Sequence, residues 1–180
     1  QKNIIENQLE KIKDDMNMAA NVMSAMLPKK EFKKDKCQID FLFQPADELA
    51  GDLYGMESHE DRVMFWLCDV TGHGVASSMV ASVVREAMAG CRYDKLFDSS
   101  EEPDPAGALK IVCEEVARSI KGKLFATMTL AVYDFKSREI TIASAAHLKP
   151  IHFREGAWVK NSVSRIQNGP LIGYGVDDEK

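Results

Sequence analysis

The stretch Arg62-Val63-Met64-Phe65-Trp66-Leu67-Cys68-Asp69-Val70-Thr71-Gly72-His73-Gly74 passes from a strand into a tight turn and then, at Val75, into a helix. Its first seven residues form a nearly continuous apolar run, the pattern of a strand covered on both faces. The run ends on an acid, Asp69. Glycines between a strand and a helix permit close backbone approach and unusual dihedrals. From Val75 to Gly90, alanine, valine, methionine and serine read as a buried helix.

Outward from this stretch the chain divides into blocks. A second helix covers about Pro105 to Ile120, with Ala108, Ile111, Val112, Glu115 and Val116 at helical spacing and Gly122 as its stop. The acidic, proline-containing residues Ser99 to Pro105 read as an exposed loop between the two helices. Phe125 to Asp134 and Glu139 to Ala145 are strand-like and flank Phe135-Lys136-Ser137-Arg138, a turn of hairpin length. Pro150 to Arg154 and Ala157 to Lys160 flank Glu155-Gly156 in the same way. Upstream, Cys37 to Gln44 alternates as a strand does, and Lys29 to Lys36 reads as a solvated, charged hinge. Strands, then two adjacent helices, then consecutive antiparallel strands make an α+β layered fold rather than a parallel doubly wound sheet.

The first segment, up to about Leu27, contains no glycine or proline and closes at Pro28, as one long helix would. Ile5, Leu9, Ile12, Met16, Ala19, Met23 and Met26 are spaced alternately by four and three, a heptad seam kept for about three repeats. Two readings stay open: a coiled coil that pairs two copies, and a single amphipathic helix lying on its own domain. A seam this short needs help from an upstream segment or from the globular part to hold a homodimer.

The chain's 180 residues are 45% hydrophobic and 28% charged, with 23 basic against 28 acidic side chains and a formal net charge of -5. That suits one globular domain with an appendage. The mild acidic balance argues against nucleic acid as a partner. No apolar run approaches the ~20 residues of a membrane span, and no signal peptide is visible, so the expected compartment is the cytoplasm. Cys37, Cys68, Cys91 and Cys113 are widely separated and form no CxxC, which suits buried free thiols rather than disulfides or a zinc site. A start at Gln1 and a stop at Lys180 suit an excised piece of a longer protein.

The candidate chemistry lies in two acids. Asp52 follows Ala50-Gly51 and precedes Leu53-Tyr54, while Asp69 ends the apolar run. If their strands are neighbours the two carboxylates converge. Aspartates beside glycine suit Mg²⁺ and Mn²⁺, which take oxygen ligands and accept a carbonyl from a bent backbone. Taken singly, each acid reads more readily as a turn residue than as a ligand.

Taken together with Asp69-Val70-Thr71-Gly72-His73-Gly74, they resemble the metal-dependent (type 2C-like) protein serine/threonine phosphatases, in the bacterial branch of sporulation stage II and stress-response regulators. Ala46-Asp47-Glu48-Leu49-Ala50-Gly51-Asp52-Leu53-Tyr54 resembles the first acidic motif of that family, Phe125-Ala126-Thr127-Met128 its central strand, Ala145-Ala146-His147 its Ala-Gly-His motif and Gly169-Pro170-Leu171-Ile172-Gly173 its Pro-Leu-Gly loop. Met18 to Pro28 resembles the linker helix that precedes such domains. The resemblance runs over nearly the whole chain.

The resemblance implies a β-sandwich flanked by helices, four layers in α-β-β-α order. The division it implies is a linker helix over residues 1–28 and a phosphatase domain over 37–180 lacking its C-terminal part. Asp52 and Asp69 would be catalytic metal ligands, with the Val70 carbonyl completing a shared site for two Mn²⁺ or Mg²⁺ ions. The implied reaction is hydrolysis of a phosphoserine or phosphothreonine by metal-activated water, with no covalent intermediate. The implied substrate is a phosphorylated regulatory protein such as an anti-sigma factor antagonist, and the linker would relay signals from an upstream sensor domain. His73 and His147 are assigned indirect or packing roles; His59 and His152 read as surface residues. Ala50 replaces the first glycine before the acid, Gly55 stands where an acid commonly follows the tyrosine, and Leu148-Lys149 interrupts the sequence after His147. The family's later acids would lie beyond Lys180, since Asp177 and Asp178 come too soon. These departures support a rival reading, a pseudophosphatase that binds a partner without catalysis.

Overall fold

The computed structural model describes residues 2–45, 49–98, 100–120, 124–159, 166 and 168–173. Its elements run α1 (Lys2–Met26), β1 (Glu31–Lys34), β2 (Cys37–Asp40), β3 (Leu53–His59), β4 (Arg62–Val70), α2 (Val75–Arg92), a π-helical segment Tyr93–Phe97, α3 (Pro105–Ile120), β5 (Ala126–Asp134), β6 (Glu139–Ala145), β7 (Phe153–Arg154), β8 (Ala157–Trp158) and β9 (Asn168–Gly169). The class is α+β, a mixed sheet flanked by helices. Gly122, Lys160, Asp177 and Asp178, with Ala46, Asp47 and Glu48 of the first acidic motif, lie outside the described residues.

The main sheet has the order β3-β4-β5-β6-β9, antiparallel except for the short β6–β9 pair. Its register places Leu53 opposite Cys68 and Asp69 opposite Thr127. Alternation along β4 and β5 then sorts the side chains, because neighbouring residues of a strand point to opposite faces. Met64, Trp66, Cys68 and Val70, with Met128, Leu130 and Val132, pack against Val80, Val84 and Met88 of α2 and Val112 and Val116 of α3. Fully burying one such aliphatic side chain contributes about 1.5–3 kcal/mol, so this face carries most of the stability.

The opposite face is different. Phe65, Leu67, Ala131, Ile140 and Ile142 line an open groove of about 600 Å³, and Leu67 remains 47% exposed. Among the described residues this face of β4 is covered at Val63, which is fully buried, but open at Leu67, whereas the apolar run predicts cover on both faces throughout. The described strands make one five-stranded sheet and two two-stranded ribbons, β1–β2 and β7–β8.

Several elements depart from the sequence expectation. The charged hinge is half of a hairpin: Glu31–Lys34 pairs with Cys37–Asp40 around Asp35, which has φ 54°. Phe32 supplies the anchor, its ring 6.4 Å from that of Phe135, and half-buried Lys34 sets its Nζ 4.7 Å from the centre of the same ring, while Lys33 stays exposed. Periodicity also missed β3, because Gly55, Glu57 and Ser58 dilute its apolar pattern. The helix begun at Val75 continues through Arg92 into the π-helical segment, two residues and one further turn past the expected end.

Arg62 explains the path of the chain after that turn. Its buried guanidinium donates to the Asp134 carboxylate at 3.1 Å, to the Leu96 and Asp98 carbonyls at 3.3 and 2.7 Å, and to the Glu101 carbonyl. One side chain thus ties β4, β5 and the loop before α3.

Helix α1 contains no buried residue. Ile5, Leu9 and Ile12 are well exposed, and its contact with the domain is made near its end, where Met23 and Leu27 pack on the core. The Tyr54 hydroxyl donates to the Pro28 carbonyl at 3.2 Å, and Phe41 stacks on the Tyr54 ring with centroids 4.3 Å apart. No helix among the described residues is long and apolar enough to cross a membrane.

Candidate active site

The site forms at the end of the sheet where β4 gives way to α2. Gly72 and Gly74 have φ of 84° and 82°, a left-handed conformation that side chains rarely adopt, and they reverse the chain between strand and helix. Backbone bonds pin the turn: Thr71 donates its N–H to the Phe125 carbonyl at 2.8 Å, and Gly74 donates to the Leu49 carbonyl at 3.2 Å. The Phe125 N–H returns a bond to Thr71 Oγ1 at 3.0 Å. The turn therefore holds both the segment before Asp52 and the start of β5.

Asp52 immediately precedes β3, one step before Leu53 and so level with Asp69. It starts a strand, and the acids converge on level positions of the paired strands β3 and β4. Partial burial, then the charge and the hydrogen-bonding carboxyl of neighbouring Asp69, push Asp52 above the ordinary carboxylate range; His147 pulls the other way. Both acids are exposed. Two carboxyls this close repel when both are ionised, and a cation between them would relieve the repulsion.

Val70 lies on the same edge. Its carbonyl oxygen faces Gly51, next in sequence to Asp52, at a distance that leaves no room for a side chain: a β-carbon on Gly51 would stand 2.8 Å from it. Two carboxylates and a backbone carbonyl suit a hard, oxygen-seeking cation. The set is small, and among the described residues no group of three or more His, Cys, Asp or Glu that could hold a metal is formed.

His147 is the residue that sequence reasoning undervalued. Far from the acids in the chain, it is brought beside them by the antiparallel order β4-β5-β6, which aligns the end of β4, the start of β5 and the end of β6 at one edge. Thr127, opposite Asp69, has its Oγ1 2.7 Å from His147 Nδ1. Both hairpin strands were legible; that β5 pairs with β4 was not. His73 is exposed in the turn, and His59 packs edge-on to Tyr93 at 5.6 Å, at the other end of β3.

All four cysteines are free, with Cys68 and Cys91 buried. Burial, and behind it the charges of Asp69 and Asp52, push the Cys68 thiol up to about 12. A thiol held neutral in this way is no nucleophile.

The sheet, its flanking helices and the paired acids define a domain of the PP2C type. The fold is shared with the SiaA-PP2C domain of Pseudomonas aeruginosa, at a TM-score of 0.58 and 22% identity over 77% of this chain and 55% of that one. It is shared also with the RsbU and RsbW domains of Rv1364c from Mycobacterium tuberculosis, at a TM-score of 0.54 and 25% identity over 70% of this chain and 33% of that one. Residues 59–179 match the family model for stage II sporulation protein E, and the chain belongs to that SpoIIE family. A curated relative, the phosphoserine phosphatase RsbU of Bacillus subtilis, is 27% identical over 138 residues, 77% of this chain. The chain spans 39% of that relative's length.

Proposed function

We propose that the chain is the catalytic domain of a metal-dependent protein phosphatase acting on phosphoserine or phosphothreonine in a regulatory protein. The observation that carries this reading is the placement of Asp52 level with Asp69 at one sheet edge, close enough for the charge of Asp69 to raise the Asp52 carboxyl. The name of the Bacillus subtilis relative supports the substrate class. Asp52, Asp69 and the Val70 carbonyl would hold Mn²⁺ or Mg²⁺, with two ions the expected complement. Such ions, when bound, offset phosphoryl charge and make water a better nucleophile. The chain's own part is to hold two negative charges side by side and, through Gly51 and the glycine turn, to keep the Val70 carbonyl against them.

The N-terminal helix fits the role of a signalling linker over residues 1–28, joined to a domain over 37–180. Ala20, Met23, Ser24 and Leu27 border the small pocket that Ala50, Asp52 and Leu53 also line. A change in helix pairing along the exposed seam would therefore reach the segment that bears Asp52. The partner on the output side would be a phosphorylated signalling protein such as an anti-sigma factor antagonist, met in the cytoplasm.

The test is hydrolysis of a phosphoserine peptide by the full-length protein with Mn²⁺ or Mg²⁺, beside Asp69→Asn. The variant should lose activity, and equal rates would remove the assigned role of Asp69. A second reading, a pseudophosphatase that binds a partner without turning it over, draws on the described donor set of only two carboxylates and one carbonyl. Metal-independent partner binding with no hydrolysis by the wild type would establish it.

A further inference from the structure

We propose that Thr127 and His147 are positioning residues that act together on Asp52, the Thr127 hydroxyl fixing the His147 ring so that Nε2–H addresses the acid pair. The proposal rests on the phosphatase reading above for its catalytic meaning, though not for its geometry.

Three observations carry it. Thr127 Oγ1 and His147 Nδ1 are 2.7 Å apart, so one ring nitrogen is committed to the hydroxyl and Nε2 is the one left for another partner. Thr127 is the cross-strand partner of Asp69, which places the imidazole in the same lateral row as the two acids. The backbone that presents the ring is strained: Ala146, with φ 51°, occupies the left-handed region although it is not a glycine. Strain of this kind persists where the surroundings over-determine a conformation, and here they do. The Ala146 N–H donates to the Gly169 carbonyl at 3.1 Å, and Ser144 Oγ donates to the His147 carbonyl at 3.3 Å.

Electrostatics choose the tautomer. If the hydroxyl donates to Nδ1, the ring proton sits on Nε2 and can be offered to a carboxylate. In the opposite tautomer an Nε2 lone pair would face two anionic groups, which is repulsive. A ligand carboxylate steadied in this way loses less freedom on meeting a cation, and removing such an outer partner weakens metal affinity about tenfold or more.

The test uses the full-length protein, Thr127→Val, and Thr127→Ser as the conservative variant. Nitrogen-15 NMR of the His147 ring should show the Nε2–H tautomer in the wild type, a mixture in Thr127→Val and recovery in Thr127→Ser. Mn²⁺ titration followed by electron paramagnetic resonance should show affinity about tenfold weaker in Thr127→Val and restored in Thr127→Ser. An Nδ1–H ring in the wild type, or unchanged Mn²⁺ affinity in a folded Thr127→Val, overturns the proposal. Phosphoserine hydrolysis is measured separately. A wild type that shows the tautomer and binds Mn²⁺ but hydrolyses nothing overturns the phosphatase reading and leaves the pair standing.

Discussion

Gly51 and the Val70 carbonyl oxygen approach so closely that a β-carbon on Gly51 would lie 2.8 Å from that oxygen and 3.0 Å from the Ser77 β-carbon. Neither obstacle is the end of a flexible side chain, so the backbone itself would have to move. Gly51→Ala should destabilise the domain by roughly 1–3 kcal/mol, the usual range for overpacking, and separate Asp52 from the end of β4. Urea unfolding and Mn²⁺ titration of the variant would check both effects. Wild-type values in the two measurements would mean that the close approach has no part in shaping the site.

Asp69→Asn should lower the pKa of Asp52. The charge and the hydrogen-bonding carboxyl of Asp69 are two of the causes that raise it, although burial, the largest, remains. A carboxyl whose folded pKa lies above its unfolded one stabilises the fold below the unfolded value, near 3.8, and that contribution is lost as pH rises through the raised one. At neutral pH without metal the wild type has lost it, so Asp69→Asn should unfold at the same or a higher temperature while losing activity. Carbon-13 NMR titration of the Asp52 carboxyl reads the shift directly. An unmoved Asp52 would mean that the acids do not interact.

Arg62→Met should be among the most damaging substitutions outside the site. It leaves the Asp134 carboxylate and three backbone carbonyls without their shared donor, and removing one partner of a buried ion pair costs roughly 3–5 kcal/mol. Asp134 itself is held below the ordinary carboxylate range, first by the Ser137 N–H and then by Arg62. The stability it contributes is present above the unfolded pKa, near 3.8, and is lost as pH falls through the depressed one. Asp134→Asn should therefore flatten the acid limb of a stability-against-pH curve. An unchanged limb would show that Asp134 titrates alike in folded and unfolded chains.

The seam on α1 can be tested separately from the domain. Leu9 is 61% exposed and α1 has no buried residue, so Leu9→Glu combined with Met16→Glu should change domain stability by less than about 0.5 kcal/mol. In the full-length protein the same pair should lower the mass found by sedimentation and alter phosphatase output. If mass and output both stay at wild-type values, the helix is no relay.

How much was legible in the sequence depended on how local the cause was. Strand β4, helices α2 and α3 and the β5–β6 hairpin follow from periodicity and from turn residues a few positions away, and their limits were nearly met. Strand β1 was hidden because its evident feature is charge, while what anchors it is a ring contact between Phe32 and Phe135, a hundred residues apart. β3 was hidden because a strand beside a well-buried neighbour can form with few apolar residues of its own, its backbone bonds being supplied by β4.

The sequence by itself determined the kinds of element, the α+β class and the candidate acids Asp52 and Asp69, because residue type and spacing carry those properties within one segment. Only the tertiary structure decided that the two acids lie level on paired strands, that Gly51 sits against the Val70 carbonyl, and that Thr127 and His147 join the same row. Those relations depend on strand order and register, which are set by side chains far apart in the chain packing on one another, and no local pattern encodes them.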